Sequence, residues 1–183
     1  MKTEIIQQTV EALRQGKTLL YPTDTIWGIG CDARNREAVE RLYAIKERDH
    51  SKSMIILISE FPEIPESPDS RPTTYILPKN IWHNEMHLEV ADNIPAVDNT
   101  LGIRIPQHTF CQEVLRQLGA PLVSTSANLS GHPSPTNYNE IEQELKNRVD
   151  FCVPPLPEFL SSETRGSRIL KINPDGSTTV IRP

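Results

Sequence analysis

The 183-residue chain has few cysteines, and their spacing excludes the common structural uses of cysteine. Cys31, Cys111 and Cys152 are odd in number, lie far apart and form no Cys-x-x-Cys pair. Disulfide frameworks use even sets of cysteines in small secreted chains, and structural zinc sites use closely spaced ligands. The pattern therefore predicts reduced core thiols in a cytoplasmic protein, and it argues against a metal site.

Long hydrophobic runs are also absent, and the N-terminus lacks the pattern of a secretion signal. The longest apolar runs, such as Met54–Ile58, are far shorter than the roughly 20 residues that span a bilayer. Residues 1–4 lead directly into a helical pattern and not into the apolar region of a signal peptide. We therefore expect no membrane association.

Aromatic residues and positive charge are both in short supply. Aromatic residues make up 5% of the chain, and the formal net charge is −5. Proteins that grip nucleic acid carry basic surfaces, and single-strand binders also stack bases on aromatic rings. The composition argues against a surface devoted to nucleic acid, although it leaves room for a local basic pocket.

Three well-known catalytic motifs are missing from the sequence. No Gly-x-x-x-x-Gly-Lys-Ser/Thr loop is present, which excludes a P-loop nucleotide site. The Gly-x-Ser-x-Gly elbow is absent as well, which argues against acyl-enzyme hydrolysis. His83 and His87 have helical spacing, but no Glu follows the first, so we expect surface residues and not a zinc-protease motif.

Hydrophobic periodicity predicts helices alternating with strands, which is typical of an α/β domain. The length suits a single domain over residues 1–183. Thr3 is expected to cap the first helix, and Asn35 the second. The predicted elements are helix 3–15, strand 18–21, helix 35–46, strands 54–58, 73–77 and 101–105, helix 110–118, strand 121–124, a helix from Asn137 through Leu145, strand 151–153, and a hairpin of strands 168–172 and 177–181.

Two stretches in the middle of the chain are less regular. Prolines recur through residues 60–78 and forbid a regular helix, so residues 60–71 are predicted to form a surface connection. Residues 80–98 fit no clean period.

Three polar clusters each lie at the end of a predicted strand or helix, where ligands of open α/β proteins gather. They are Thr23/Asp24/Thr25, Lys46/Arg48/Lys52 and Ser124/Thr125/Ser126/Asn128. The cations suit a polyphosphate, and the third cluster suits a phosphate or a ribose. Each cluster also fits a simpler interpretation, namely a capped turn for the first and third and a solvated helix end for the second.

Arg104 lies in a strand that alternates. Leu101, Ile103 and Ile105 share one strand face, so Arg104 points from the other face, beside Gly102. Pro106 ends the strand just beyond, which places Arg104 at a strand end.

Several motifs stand in a fixed order along nearly the whole chain. They are Pro22–Ala33 (PTDTIWGIGCDA), Lys46-x-Arg48-x-x-x-Lys52, the strand Arg71–Leu77, Gly102–Pro106, Ser124-Thr125-Ser126-Ala127-Asn128-x-Ser130-Gly131, and the late residues Ser167 and Arg182. In these motifs the chain resembles the YrdC-like family of L-threonylcarbamoyladenylate synthases. It departs from that family at Ser53, where Pro is usual, and at Trp27, where Tyr is usual.

The resemblance implies an open, twisted mixed sheet flanked by helices, with a concave basic cleft. It implies that L-threonine, bicarbonate and ATP give threonylcarbamoyl-AMP and pyrophosphate, with Mg²⁺ carried by the ATP phosphates and no organic cofactor. A separate transferase would then modify tRNA, so direct tRNA binding is expected to be weak or indirect. The extra C-terminal domain of longer members is expected to be absent.

The resemblance also assigns residue roles. Lys46 and Arg48 are the catalytic candidates, and with Lys52 they would hold the ATP phosphates. Thr25 and Arg104 would hold threonine, Arg104 by its carboxylate. The remaining ATP-binding candidates are Ser124, Ser126, Asn128, Ser167 and Arg182.

Two alternative functions remain open on the sequence. One is an RNA-binding module of the same fold, which a steep salt dependence of RNA affinity would support. The other is a diverged paralogue that adenylates another carbamate, because the middle region 60–100 is shortened. A Pro-rich connection replaces the helix that the family usually has between the strand ending near Ile58 and the strand 73–77.

Overall fold

The chain folds around a mixed β-sheet. This computed structural model describes residues 1–47, 49, 53–61, 71–160, 165–173 and 175–183, and within them the sheet has nine strands. The strands are β1 (Leu19–Tyr21), β2 (Gly28–Gly30), β3 (Ile55–Leu57), β4 (Thr73–Leu77), β5 (Leu101–Arg104), β6 (Leu122–Ser126), β7 (Phe151–Cys152), β8 (Arg168–Ile172) and β9 (Thr178–Arg182).

The strand order across the sheet is β7-β1-β2-β6-β3-β5-β4-β8-β9. The pairs β7/β1, β3/β5 and β4/β8 are parallel, and the other neighbours are antiparallel. The order confirms the open mixed sheet that the sequence predicts.

Helices cover both faces of this sheet. They are α1 (Lys2–Arg14), α2 (Arg36–Lys46), α3 (Thr109–Leu118) and α4 (Gln143–Arg148), with a π-helix at Asn80–Glu85 and 3₁₀ turns at Tyr138–Glu140 and Pro157–Phe159. Helices α1 and α3 pack together in one apolar layer, and α2 and α4 contribute to the other. Strand β1 contributes side chains to both apolar layers. Leu19 and Tyr21 pack in the layer of α1 and α3, and Leu20 packs in the layer of α2 and α4.

Local sequence signals explain where several helices begin and end. The Asn35 side chain accepts a hydrogen bond from the Ala38 amide, which confirms it as the cap of α2. Helix α3 ends at Gly119, whose φ of 67° is left-handed, as expected for a glycine C-cap. The Thr3 cap was wrong, because α1 begins at Lys2 and its cap position is Met1.

Other predictions of secondary structure need correction. Strand β2 was missed, because its Gly-Ile-Gly sequence reads as a turn. The helix predicted from Asn137 is divided into a 3₁₀ turn and α4, since Ile141 adopts an extended conformation between them. Strand 73–77 is confirmed, and the other predicted strands agree with the observed ones to within two residues at either end.

No helix in the described ranges is long and apolar enough to cross a membrane. Most of the predicted surface connection at residues 60–71 lies outside the described residues, since residues 62–70 are not described.

Candidate active site

A cavity of about 300 Å³ opens among the ends of strands from across the sheet. Thr25 to Gly28, between β1 and β2, form one side, and the ends of β5, β6 and β9 contribute to the others. Six of the residues that the sequence assigns to substrates line this cavity: Thr25, Arg104, Ser124, Ser126, Ser167 and Arg182. The fold therefore brings together residues that lie up to 157 positions apart in the sequence (182 − 25).

Arg104 is buried at the end of β5 and is held from two directions. Its side chain is 3% exposed, as the strand alternation predicts for a side chain that faces a site. Its Nη1 donates to Thr25 Oγ1 at 2.9 Å, and its Nη2 lies 3.5 Å from Asp24 Oδ1. Asp24 Oδ2 in turn accepts a hydrogen bond from the backbone N–H of Gln107 at 3.0 Å. The buried carboxylate offsets part of the guanidinium charge and fixes its position.

The Nε–H of Arg104 has no protein acceptor among the described residues. A buried donor without a partner costs stability, so such a donor at a cavity wall is typical of a place where a ligand completes the hydrogen bonding. Arg104 is thus suited to bind an anionic group such as a carboxylate.

Arg182 and Ser167 form the opposite wall. Arg182 Nε donates to the Ser167 carbonyl at 2.8 Å. A Cβ on Gly166 would lie 2.9 Å from Arg182 Nη2, so the glycine leaves room for the guanidinium. Partial burial, and then the charge of Arg104, lower the pKa of Arg182 below its usual range. Two guanidinium groups therefore influence each other across this cavity.

Lys46 requires a correction. The sequence places it on an exposed helix end, but its side chain is 1% exposed. Its Nζ donates to the carbonyl oxygens of Ser126 and Asn128, and it lies 3.3 Å from Asn128 Oδ1. The Lys46 carbonyl also accepts from the Ser130 amide. Lys46 therefore fastens the end of α2 to the loop that follows β6, behind the cavity wall.

Three other predicted residues are not placed at the cavity, one of them because it points elsewhere and two because they are not described. The side-chain nitrogen of Asn128, Nδ2, donates hydrogen bonds to the carbonyl oxygens of Leu129 and His132, at 2.9 and 2.7 Å. Arg48 and Lys52 lie outside the described residues. The roles of all three remain predictions.

Several lining residues were not assigned by sequence reasoning. Thr74 in β4 forms a 2.7 Å hydroxyl pair with Ser167. Trp27 packs on Tyr138 with ring centroids 4.9 Å apart and is nearly buried. Ser53 and Ser134 also reach the cavity. Thr74 lies within a motif that the family resemblance identified, but a threonine in a strand that begins with two threonines gave no separate signal.

The three cysteines and His108 lie outside the cavity lining. Burial raises the pKa of the Cys31 and Cys111 thiols, which confirms them as inert core residues. Cys152 is a free, half-buried thiol. His108 is buried, and burial lowers the pKa of its imidazole despite the opposing effects of the Phe159 carbonyl and Asp24.

A second cavity of about 810 Å³ lies elsewhere, beside the π-helix. Arg34, Lys79, Trp82 and Asn99 are among its lining residues. Arg34 is already paired with Asp32 through two hydrogen bonds, at 3.1 and 2.8 Å. None of the substrate candidates that the structure describes lines this cavity, so its larger volume does not make it the better site.

The family model Sua5_yciO_yrdC, described as "Telomere recombination", matches residues 11–183. Threonylcarbamoyl-AMP synthase of Pseudomonas fluorescens is 32% identical over 155 residues, which is 81% of this chain and 83% of that protein. The threonylcarbamoyl-AMP synthase of Photobacterium profundum is 28% identical over 187 residues, and the match covers 97% of this chain and 97% of that protein.

A solved structure agrees with these matches. The crystal structure of P. abyssi Sua5 complexed with L-threonine has a TM-score of 0.79 and 25% sequence identity. The match covers 100% of this chain and 54% of the Sua5 chain, so this chain spans about half the length of that protein. The E. coli YciO structure, at 21% identity and a TM-score of 0.70, shows the same fold and covers 100% of this chain and 89% of its own.

Proposed function

The chain belongs to the Sua5/YciO/YrdC family, and on this premise we propose that it is a threonylcarbamoyl-AMP synthase. The substrates would be L-threonine, bicarbonate or CO₂, and ATP. The observation that carries the proposal is the cavity in which Thr25, Arg104, Ser124, Ser126, Ser167 and Arg182 converge. Relatives that bear the synthase name match more than four fifths of the chain.

The cavity suggests how an amino acid would be oriented. Arg104 offers a buried guanidinium with a donor that no described residue satisfies, and its planar fork matches a carboxylate. Thr25 lies 2.9 Å from the same guanidinium, so it would contact another part of the same small molecule. We therefore assign Arg104 and Thr25 to threonine.

The nucleotide would occupy the rest of the cavity. Ser124, Ser126 and Ser167 supply hydroxyl groups, and Arg182 supplies a cation for a phosphate. Arg48 and Lys52 are proposed to hold the phosphates as well, and Lys46 would hold the loop that presents Ser126. Asn128 is proposed to contribute to ATP binding from the same loop.

The reaction needs positioning more than covalent chemistry by the protein. The neutral amine of threonine would add to the carbon of CO₂, one C=O π bond would open and one amine proton would leave to solvent. From bicarbonate the same carbamate would form with loss of water. A carbamate oxygen would then attack the α-phosphorus of ATP, and the bond from that phosphorus to pyrophosphate would break. Fixed cations that stabilise the departing pyrophosphate would supply most of the catalysis. Because the AMP group would pass from pyrophosphate to the carbamate, the enzyme would be a nucleotidyltransferase.

We further propose that Mg²⁺ reaches the site on the ATP phosphates. The described residues contain no group of three or more His, Cys, Asp or Glu side chains that could hold a metal ion, and Mg²⁺ commonly binds through nucleotide phosphates. The product would pass to a separate transferase that modifies tRNA, so we place the enzyme in the cytoplasm with only weak or indirect tRNA binding.

The test is an assay of pyrophosphate release. We expect release from ATP to require both L-threonine and bicarbonate. Arg104→Lys keeps the charge but loses the planar fork, so it should raise the KM for threonine much more than the KM for ATP. Arg36→Lys is the matched control, because Arg36 is exposed and pairs with Asp92 far from the cavity residues. Release that is indifferent to threonine and bicarbonate would refute the proposal.

A further inference from the structure

The hydroxyl groups of Thr23 and Thr25 belong to a network in which the protons can be assigned by counting. Thr23 Oγ1 lies 2.8 Å from the Ile26 carbonyl oxygen and 3.1 Å from the Thr25 amide nitrogen. A carbonyl oxygen only accepts, so Thr23 gives its single proton to Ile26. Thr23 Oγ1 then accepts from the Thr25 amide.

This assignment decides the direction of the hydroxyl pair. The two threonine hydroxyls lie 3.0 Å apart, and either one could donate on distance alone. Since the proton of Thr23 is used on Ile26, the arrangement that satisfies every one of these contacts has Thr25 donating to Thr23. The Thr23 hydroxyl is then saturated, with one proton given and two lone pairs occupied.

Thr25 is left with a single free lone pair. Its proton goes to Thr23, and its oxygen accepts from Arg104 Nη1 at 2.9 Å. Both threonines are buried, and Thr25 lines the cavity. In this arrangement Thr25 Oγ1 faces a bound molecule as an acceptor and not as a donor.

We propose that Thr23 is a positioning residue that locks Thr25 as a pure hydrogen-bond acceptor, so that this corner of the cavity selects an N–H or O–H group of the substrate. The inference rests on the proposed function and deepens it. A carboxylate or phosphate oxygen would be repelled at Thr25 and directed to the unsatisfied Nε–H of Arg104. One α-amino acid can bind to both residues at once, since its carboxylate can accept from Arg104 and its amine or side-chain hydroxyl can donate to Thr25.

The arrangement also suits the chemistry of the amine. A neutral amine that donates one N–H to Thr25 keeps its lone pair available for the carbon of CO₂ or bicarbonate. A donor at Thr25 would instead occupy that lone pair and suppress the reaction. The direction of one hydroxyl therefore affects reactivity as well as orientation.

The experiment compares Thr23→Val, Thr23→Ser and Thr25→Val in the pyrophosphate assay and in calorimetry of L-threonine binding. Thr25→Val should raise the KM for threonine at least about tenfold, because the donor of the ligand loses its acceptor. Thr23→Val should raise it about fivefold, since Thr25 is then free to turn its proton toward the cavity. Thr23→Ser keeps the lock and should stay close to the wild type. The KM for ATP should change less than about twofold throughout.

A matched control separates this role from simple loss of stability. Thr9 is fully buried in α1, and its hydroxyl donates to the Ile5 carbonyl at 2.7 Å, away from the cavity. Thr9→Val should lower the melting temperature while leaving the KM for threonine unchanged. Equal rises in the KM for threonine and for ATP in Thr23→Val, or no rise in either, would overturn the proposal.

L-Valine distinguishes the two possible donors, because it has the shape of threonine without the hydroxyl. If the amine faces Thr25, Thr25→Val should weaken binding of both amino acids by a similar factor. If the side-chain hydroxyl faces Thr25, only threonine binding should weaken. A wild-type protein that neither binds threonine nor releases pyrophosphate would refute the proposed function itself, whereas normal wild-type activity with unchanged variants would refute only the role of Thr23.

Discussion

At the residue scale, Lys46 shows how a charged side chain can be structural within a candidate active site. Its ammonium is buried and donates to two main-chain carbonyls, that of Ser126 at the end of β6 and that of Asn128 in the loop that follows. A charge-assisted hydrogen bond is stronger than a neutral one, and a buried carbonyl that loses its donor is costly. Lys46 therefore contributes to stability and, through Ser126, to the shape of the cavity.

We predict that Lys46→Met lowers both the free energy of unfolding and the activity. Methionine keeps much of the length of the side chain but leaves the Ser126 and Asn128 carbonyls without the ammonium. The loss in stability should be about 2 kcal/mol or more, measured by urea unfolding. Lys79→Met is the control, because Lys79 is exposed, and it should change stability by less than about 0.5 kcal/mol. Equal stabilities of the two variants would contradict the structural role of Lys46.

Some site residues were predictable from the sequence and others were not, for a physical reason. Strand alternation, which is a local property, predicted the face from which Arg104 points, but only the family resemblance predicted that this face is a binding site and not solvent. The burial of Lys46 depends on where residues 126–130 lie, and they are about 80 positions away. A helix end with several cations is usually solvated, so local pattern favoured the wrong environment for Lys46.

At the element scale, β2 is the strand that the sequence pattern did not predict. Its glycines resemble a turn, but they allow β2 to lie between β1 and β6 with very close backbones. A Cβ on Gly30 would come within 1.9 Å of the Val123 carbonyl oxygen. Glycine in a strand interior often marks such an approach, but only the paired strand reveals it.

We predict that Gly30→Ala destabilises the protein more than Gly119→Ala does. At Gly30 the new methyl group collides with backbone, which should cost about 3 kcal/mol or more. At Gly119 there is open space, and only the left-handed φ of 67° is penalised, by about 1–2 kcal/mol. Urea unfolding followed by circular dichroism would compare the two. A smaller loss for Gly30→Ala would show that β2 can move away from β6 at little cost.

At the scale of the whole molecule, the sheet separates two apolar layers, and the candidate site lies at the ends of strands that both layers hold in place. The alternation of helices and strands was enough to predict this class of fold. The strand order was not predictable from local pattern, because it depends on contacts such as that between β2 and β6, which pairs residues 28 and 126. The family resemblance supplied the architecture that periodicity alone left open.

His108 links the layer of α1 and α3 to the segment after β7, and it should make the stability of the whole protein depend on pH. Its Nε2 lies 3.0 Å from the Phe159 carbonyl oxygen, so Nε2 carries the proton and donates. Its Nδ1 is buried and has no partner in the described part of the chain. Protonation would create a buried N–H at Nδ1 without an acceptor, near the charges of Lys2 and Arg104.

Since burial lowers the pKa of His108 below its ordinary 6.5, the unfolded chain takes up this proton at a higher pH than the folded protein. The stabilisation is therefore fully present above pH 6.5 and is lost as the pH falls from there toward the folded pKa, with a slope of at most about 1.4 kcal/mol per pH unit. His108→Gln keeps a donor for Phe159 but does not titrate. We expect urea unfolding between pH 7 and pH 5 to show a shallower loss of stability in His108→Gln than in the wild type. The exposed-site control His83→Gln should follow the wild type, and a His108→Gln profile parallel to both would show that His108 does not govern this acid sensitivity.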